Sequence, residues 1–117
     1  MNTKQCRKEL AMHLCKRSVC KVQMAAVLSD KEGRVLSWGW NNAGNGKGTH
    51  AEEMALKRAN PKRIKGSVIT VAGFRKDSHV LSMPCLEKCW ARIVAAEVTS
   101  VEYHTKEGEW KRVELGK

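Results

Sequence analysis

The stretch KVQMAAVLSDKEGRVLSWGW, residues 21–40, decides how the chain folds. It contains an apolar run at 24–28, a turn-forming segment at 30–33 that ends in glycine, and a second run at 34–40. Short apolar runs on either side of such a turn are typical of two antiparallel strands. The stretch therefore predicts a β-hairpin, with further helices and strands before and after it in the chain.

Three helical segments are predicted around this hairpin. The first has apolar residues at helical spacing among Lys and Arg, the second consists of good helix formers and stops before Pro61, and the third starts after Pro84, whose missing N–H costs nothing at a helix start. Thr49, at the end of a loop rich in Asn and Gly, or a residue near it is expected to cap the second helix. The predicted helices are residues 4–18, 50–59 and 85–97.

Three further strands complete the predicted sheet. The first is rich in β-branched residues, and residues 74–83 after it are predicted to be irregular. The last two strands are joined only by a short turn, so we expect them to form an antiparallel hairpin. These three strands are residues 67–73, 99–105 and 109–115.

The predicted order of elements is α-β-β-α-β-α-β-β, which favours a five-stranded sheet covered by helices. The 117 residues have the size of one ordinary domain, residues 1–117. The chain contains no apolar run of about 20 residues, the length of a membrane-spanning helix, and its start lacks the features of a secretory signal. We therefore expect a soluble, cytoplasmic protein without a membrane partner.

The charge of the chain is strongly positive, with 22 Lys and Arg against 12 Asp and Glu and a net charge of +10. This excess predicts an anionic partner, either the phosphate of a mononucleotide or a nucleic acid. Charge alone does not separate these two partners from a surface that is merely soluble. The four tryptophans are expected to lie mainly in the core.

The five cysteines are an odd number, so they cannot all pair within one chain. A reducing compartment and metal binding are the better interpretation. Cys6, Cys15 and Cys20 are expected to be small buried or partly exposed apolar residues. A second zinc site is the alternative for these three.

Three side chains of the types that zinc prefers, His50, Cys85 and Cys89, stand at the starts of two predicted helices. The two cysteines are four residues apart on a helix, so both sulfurs can reach one ion. Three protein ligands leave a fourth position for a reacting water, whose pKa zinc lowers to about 7. A carboxylate beside the metal, Glu52, would then move the proton. The pattern predicts a catalytic zinc site with Glu52 as proton shuttle.

These motifs resemble the zinc-dependent cytidine and deoxycytidylate deaminase superfamily, whose pattern is H-x-E followed by P-C-x-x-C. Here the first motif is HAE, residues 50–52, and the second is PCLEKC, residues 84–89, with three residues between the cysteines where two are usual. The segment GWN, residues 39–41, is similar to the family's G-x-N at the end of its second strand. SMPC, residues 82–85, resembles its approach to the zinc. The resemblance spans residues 20–115.

The resemblance implies a three-layer, cytidine-deaminase-like α/β fold with a mixed sheet. It implies hydrolysis of cytosine to uracil in a free nucleoside or nucleotide such as dCMP, with Zn²⁺ as cofactor, and a homo-oligomer. Asn41 would contact the sugar, and the Ala51 N–H and the Met83 carbonyl would hydrogen-bond the pyrimidine edge. A regular helix turns His50 and Glu52 about 200° apart. The resemblance, and not the helical period, therefore places both beside the zinc.

Two alternatives stay open. A polynucleotide cytosine deaminase would use the basic surface and exposed aromatic rings, of which the chain offers few. A structural zinc-binding nucleic-acid-binding module without catalysis would need a fourth ligand such as His79 or His104. Within the superfamily, the predicted C-terminal hairpin is typical of enzymes acting on free nucleosides, whereas a histidine as first ligand is typical of the other branches.

Overall fold

The computed structural model describes residues 3–41, 50–76, 78–84 and 89–115. The predicted loop at 41–50, the cap at Thr49 and the predicted start of the third helix, which includes Cys85, lie largely or wholly outside these residues. Among them the elements follow in this order: α1 (Thr3–Leu14), a 3-10 helix (Cys15–Arg17), β1 (Gln23–Ser29), β2 (Val35–Trp40), α2 (Ala51–Arg58), α3 (Pro61–Ile64), β3 (Val68–Arg75), β4 (Ser78–His79), α4 (Cys89–Ala95), β5 (Ser100–His104) and β6 (Trp110–Glu114).

The strands form one mixed sheet in the order β2-β1-β3-β5-β6, with β4 attached to β3. β1 is antiparallel to β2 and β3, β3 is parallel to β5, and β5 is antiparallel to β6. The predicted α/β fold with a mixed sheet and a C-terminal antiparallel hairpin is confirmed. The predicted number of five strands is wrong by one, because Ser78 and His79 pair with the end of β3.

The segment after α2 also differs from the prediction. Pro61 ends α2 as expected, but it occupies the first turn of a further short helix, α3. The Asn60 side chain caps that helix by accepting the Lys62 N–H at 3.0 Å. Proline is well suited to this position because an N–H there would have no partner within the helix.

The sheet is packed on both faces, which explains the continuous apolar run of β1. Its residues alternate between the two faces: Ala25 and Val27 pack with α1, whereas Ala26 and Leu28 pack with α2 and α4. All four are fully buried. A strand covered on both faces needs no polar alternation. The three layers are therefore α1, the sheet, and the pair α2 and α4.

A buried ion pair joins α1 to the sheet. Arg7 donates from Nε and Nη2 to the two carboxylate oxygens of Glu102 on β5, each at 2.8 Å. The Thr70 hydroxyl donates a further hydrogen bond to the same carboxylate at 2.8 Å. Burial opposes ionisation of Glu102, but these hydrogen bonds outweigh it and lower the pKa of Glu102. The pair connects the first helix with β3 and β5.

α2 lies unusually close to β2 because Gly39 has no side chain. A Cβ on Gly39 would lie 2.6 Å from Met54 Cβ and 2.7 Å from the Ala51 carbonyl oxygen. Two residues earlier, the Ser37 hydroxyl donates to the Ala55 carbonyl at 2.6 Å. These contacts hold the start of α2, and with it the HAE segment, against the sheet.

β2 forms one edge of the sheet, and two of its outward backbone groups already have neighbours. The Trp38 carbonyl accepts a hydrogen bond from Arg58 Nη1 at 3.4 Å, and the Trp40 N–H points to Met54 Sδ at 3.5 Å. The Trp40 ring has the guanidinium of Arg17 at 5.5 Å and that of Arg58 at 5.1 Å. Trp38 is 42% exposed, so the expectation of a core residue is wrong there.

The remaining cysteines agree with their predicted role as far as the structure describes them. Cys15 is buried and its thiol points to the Ala72 carbonyl at 3.5 Å, while Cys20 is half-buried. The side chain of Cys6 lies outside the described part of the structure. No helix within the described ranges is long and apolar enough to cross a membrane.

Candidate active site

A pocket of about 240 Å³ opens beside the start of α2. It gathers five of the seven predicted site residues, together with three that the sequence did not single out. Its lining residues are Val22, Met24, Asn41, His50, Ala51, Glu52, Ser82 and Met83. A larger groove of about 650 Å³, which Lys31, Lys62 and Lys65 help to line, contains none of the predicted residues.

His50 and Cys89 meet at this pocket. His50 immediately precedes α2 with an extended backbone, at φ −76° and ψ 151°, and Cys89 begins the described part of α4. His50 Nδ1 lies 2.9 Å from Cys89 Sγ. Zinc bonds are about 2.1 Å to nitrogen and 2.3 Å to sulfur, so the two atoms are close enough to share one ion. An imidazole and a buried thiol that converge in this way fit zinc.

Cys85, the other predicted ligand, lies outside the described residues. Within the residues that are described, no three His, Cys, Asp or Glu side chains form a group that could hold a metal. The structure therefore brings together two of the three predicted zinc ligands and does not describe the third.

Glu52 lines the same pocket as His50, although a regular helix would turn them apart. The reason is that His50 stands before the helix in extended backbone, so the helical period does not apply to it. The Glu52 side chain is buried, and burial raises the pKa of Glu52 to about 7, against the opposing effect of a hydrogen bond from its own N–H. A carboxyl group with a pKa near 7 can both accept and give up a proton at neutral pH.

Asn41 is held in one orientation by three hydrogen bonds. Its Oδ1 accepts the Met24 N–H at 2.9 Å and the Ser18 hydroxyl at 2.5 Å, and its Nδ2 donates to the Val22 carbonyl at 2.8 Å. An amide has two N–H donors, so one remains beyond these contacts. Ser18 is a residue that sequence reasoning missed, because it reaches Asn41 only once α1 has packed on the sheet.

Ser82 was also missed as a functional residue, although the SMPC segment contains it. Its hydroxyl donates to the Val71 carbonyl at 2.7 Å and accepts the His104 N–H at 2.7 Å. Its own N–H donates to the His104 carbonyl at 3.0 Å. These bonds attach the segment that carries Met83 to β3 and β5.

The two other histidines considered as zinc ligands lie elsewhere. His79 and His104 pack against each other with ring centroids 4.6 Å apart, in a cluster with Phe74 and Trp110. Burial, and secondarily the neighbouring His79, lowers the pKa of His104 to about 4. Neither histidine lines the pocket, so neither stands where the structural zinc module would need its fourth ligand.

Comparison with known proteins identifies the family and the fold of this chain. Residues 1–105 match the family model of the cytidine and deoxycytidylate deaminase zinc-binding region. Among solved structures, dCMP deaminase from cyanophage S-TIM5 is 24% identical with a TM-score of 0.65, over 87% of this chain and 82% of that one. Cytidine deaminase from Mycobacterium leprae is 15% identical with a TM-score of 0.61, over 96% and 94%.

A third structure, RibD from Acinetobacter baumannii, is 22% identical with a TM-score of 0.59. The match covers 88% of this chain and 28% of RibD. No curated protein matches the chain at a significant level. At these identities the solved structures show a shared fold. The match to the family model is the finding that supports zinc as the cofactor.

Proposed function

The chain belongs to the zinc-dependent cytidine and deoxycytidylate deaminases, and from this premise we propose that it hydrolyses cytosine to uracil in a free nucleoside or nucleotide such as dCMP. The observation that carries the proposal is the pocket in which buried Glu52 lies beside His50, whose Nδ1 faces the Cys89 thiol. The family shows the type of enzyme, whereas the substrate and the residue roles below are proposals.

We assign the zinc to His50, Cys85 and Cys89. His50 and Cys89 already converge at 2.9 Å, and Cys85 precedes Cys89 by four residues. When bound, zinc lowers the pKa of a water at the open position and so supplies a nucleophile at neutral pH. Deamination needs a water in place of the C4 amino group, and this assignment leaves a position for it.

Glu52 is the proposed proton shuttle. The reaction consumes one water and releases ammonia, so one proton of the water must reach the ring nitrogen N3 and the other must reach the leaving amino group. A carboxyl group with a pKa of about 7 is divided between its two protonation states near neutrality, which suits both transfers. No other carboxylate lines the pocket among the described residues.

The proposed substrate contacts follow from the lining of the pocket. Asn41 retains one N–H donor, so its partner on the sugar must be an acceptor oxygen. The Ala51 N–H belongs to the first turn of α2, where backbone donors have no partner within the helix. The Met83 carbonyl stands on the segment that Ser82 attaches to the sheet. Together they would offer donors and an acceptor to the pyrimidine edge.

The test is to incubate zinc-loaded protein with cytidine, deoxycytidine and their monophosphates and to measure uracil products and ammonia. Glu52→Gln is expected to retain zinc and to lose turnover. Glu53→Gln is the matched control, because Glu53 pairs with Arg92 at 2.6 Å and does not line the pocket. Absence of product from every cytosine compound would contradict the proposal, and full activity of Glu52→Gln would remove the shuttle role.

A polynucleotide substrate is the second candidate, favoured by the edge of β2. Exposed Trp38 and Trp40, whose ring has two guanidiniums within 5.5 Å, precede Asn41 by three residues and one residue. Aromatic rings and arginines of this kind bind unpaired bases and phosphates. Faster turnover of a single-stranded oligonucleotide than of dCMP, lost in Trp38→Ala, would favour this candidate over the free nucleotide.

A further inference from the structure

A smaller cavity, of about 230 Å³, is lined only by Lys21, Arg75 and Lys76 among the described residues. All three side chains are exposed. Within the described part of the chain none of them forms an ion pair with a carboxylate. Three basic residues therefore line one space without a described counter-charge, and Asp77, next to Lys76 in the chain, lies outside the described residues.

This cavity lies at the rim of the candidate active site. β1 and β3 are antiparallel with Gln23 opposite Phe74. The register ends at this pair: Lys21 and Val22 precede β1, and Arg75 is the last residue of β3. Val22 lines the catalytic pocket, and its carbonyl accepts the hydrogen bond from Asn41. Lys21, which lines the cavity together with Arg75 and Lys76, is thus the chain neighbour of Val22 in the wall of the pocket.

The backbone conformation of Lys76 is a second unusual feature of this cavity. Lys76 has a φ of 49°, in the left-handed region, at the first position of the two-residue connection between Arg75 and Ser78. Such positions favour glycine or asparagine. A lysine here therefore opposes local stability, which points to a role in binding an anion.

We propose that Lys21, Arg75 and Lys76 bind the phosphate of the cytosine nucleotide, so that the substrate is a phosphate ester and not the free nucleoside. A phosphomonoester carries a charge of about −1.5 to −2 at pH 7, and arginine can bind it with two parallel hydrogen bonds. The same chemistry would hold the phosphodiester of a strand. This inference rests on the proposed deaminase function and narrows its substrate class.

The first test measures binding and needs no turnover. Isothermal titration calorimetry with dUMP and with deoxyuridine compares a phosphorylated and an unphosphorylated product. Wild-type protein is expected to prefer dUMP, and Lys21→Ala and Arg75→Ala are each expected to weaken dUMP about tenfold without affecting deoxyuridine. The matched control is Lys31→Ala with Lys62→Ala, which removes two lysines from the larger groove. Equal affinity of wild-type protein for both products would overturn the proposal.

Lys76→Gly separates binding from stability. Glycine relieves the left-handed backbone, so the variant is expected to melt at the same or a higher temperature than wild type. Its dUMP affinity is nevertheless expected to fall about tenfold. If dUMP binds Lys76→Gly as tightly as wild type, Lys76 is not part of a phosphate site.

Kinetic measurements show whether the bound phosphate belongs to a mononucleotide or to a strand. They also test the phosphate site separately from the proposed deaminase function. In the rim variants, a loss of kcat/KM for dCMP alone identifies the monophosphate, and a loss for a single-stranded oligonucleotide alone identifies the strand. Either result supports the site, whereas an equal loss for deoxycytidine contradicts it. If no cytosine compound is turned over while dUMP is still preferred, the proposed function fails and the phosphate site survives.

Discussion

At the scale of single residues, the buried carboxyl of Glu52 makes stability depend on pH in a defined direction. Its pKa is about 7 in the folded protein against 4.5 for an ordinary glutamate. The folded state thus holds the proton more tightly, so the contribution favours folding below about pH 4.5 and is lost as the pH rises through about 7. Zinc-free Glu52→Gln cannot ionise and is expected to be more stable than zinc-free wild type at pH 8, but not at pH 4.5.

Thermal denaturation in the presence of a chelator at these two pH values checks this expectation. Glu53→Gln is the control with the opposite sign, because Arg92, and secondarily Lys57, lowers the pKa of Glu53. That variant is expected to lose stability at pH 8. If Glu52→Gln raises the melting temperature equally at both pH values, then packing, and not the buried charge, causes the increase.

Ser18 is predicted to act on the substrate through Asn41. Ser18→Ala leaves Asn41 Oδ1 with only the Met24 N–H, so the amide is less firmly oriented. Losing one such hydrogen bond is worth about 1 kcal/mol, which corresponds to a rise of about fivefold in KM. The expected signature is a raised KM with unchanged zinc content and little change in kcat, and rescue by Ser18→Thr. A fall in kcat alone would argue against a positioning role.

At the scale of elements, the position of α2 depends on Gly39. A methyl group there would lie 2.6 Å from Met54 Cβ, so the helix that carries the HAE segment must move. Overpacking of this kind costs about 1–3 kcal/mol. Gly39→Ala is therefore expected to unfold at lower urea and to lose most activity, whereas the exposed control Val35→Ala changes neither. Normal activity in Gly39→Ala would show that the close approach does not position the site.

The attachment of α1 is a second feature at this scale. Arg7→Ala leaves Glu102 buried without its main partner, and breaking such a pair costs about 3–5 kcal/mol. Replacing both residues, as in Arg7→Met with Glu102→Met, is expected to recover much of that loss. Urea denaturation of the single and double variants measures the difference, and equal stability of the two would contradict it.

The same pair predicts a response to acid. The pKa of Glu102 is lowered in the folded protein, since hydrogen bonds from Arg7 and Thr70 outweigh the opposing effect of burial. Its contribution is therefore present above about pH 4.5 and is lost as the pH falls below that value. Melting temperatures measured downward from pH 5 are expected to fall more steeply for wild type than for the double variant.

At the scale of the whole molecule, zinc is predicted to join the two helices on one face of the sheet. His50 stands before α2 and Cys89 begins the described part of α4, so the metal would hold them together. A ligand that binds only the folded state raises its stability, so chelation is expected to lower the melting temperature. Cys85→Ser should abolish this response and Cys20→Ser should preserve it. If chelation lowers the melting temperature of the two variants equally, the zinc is bound at another site.

The elements with strong local signals could be predicted, and those made by long-range pairing could not. The first hairpin is signalled by apolar runs around a turn that closes at Gly33, where φ is +86°. Ser78 and His79 form only two pairs, too few for any alternation to show. Within the site, the HAE segment is a local motif. Ser18, Ser82 and the cations of the rim lie there only because of the sheet register and the packing of α1.

The edge of β2 bears on how copies of this chain could associate. An exposed edge is normally a template on which a further strand is added. Here an incoming strand would meet a Trp38 carbonyl that already bonds Arg58 and a Trp40 N–H that faces a thioether. These two contacts make the β2 edge a poorer template than the opposite edge, β6. The homo-oligomer expected from the family remains a prediction. If it forms edge to edge through β6, the pocket and its cationic rim stay outside the contact, because none of their described lining residues belongs to β6.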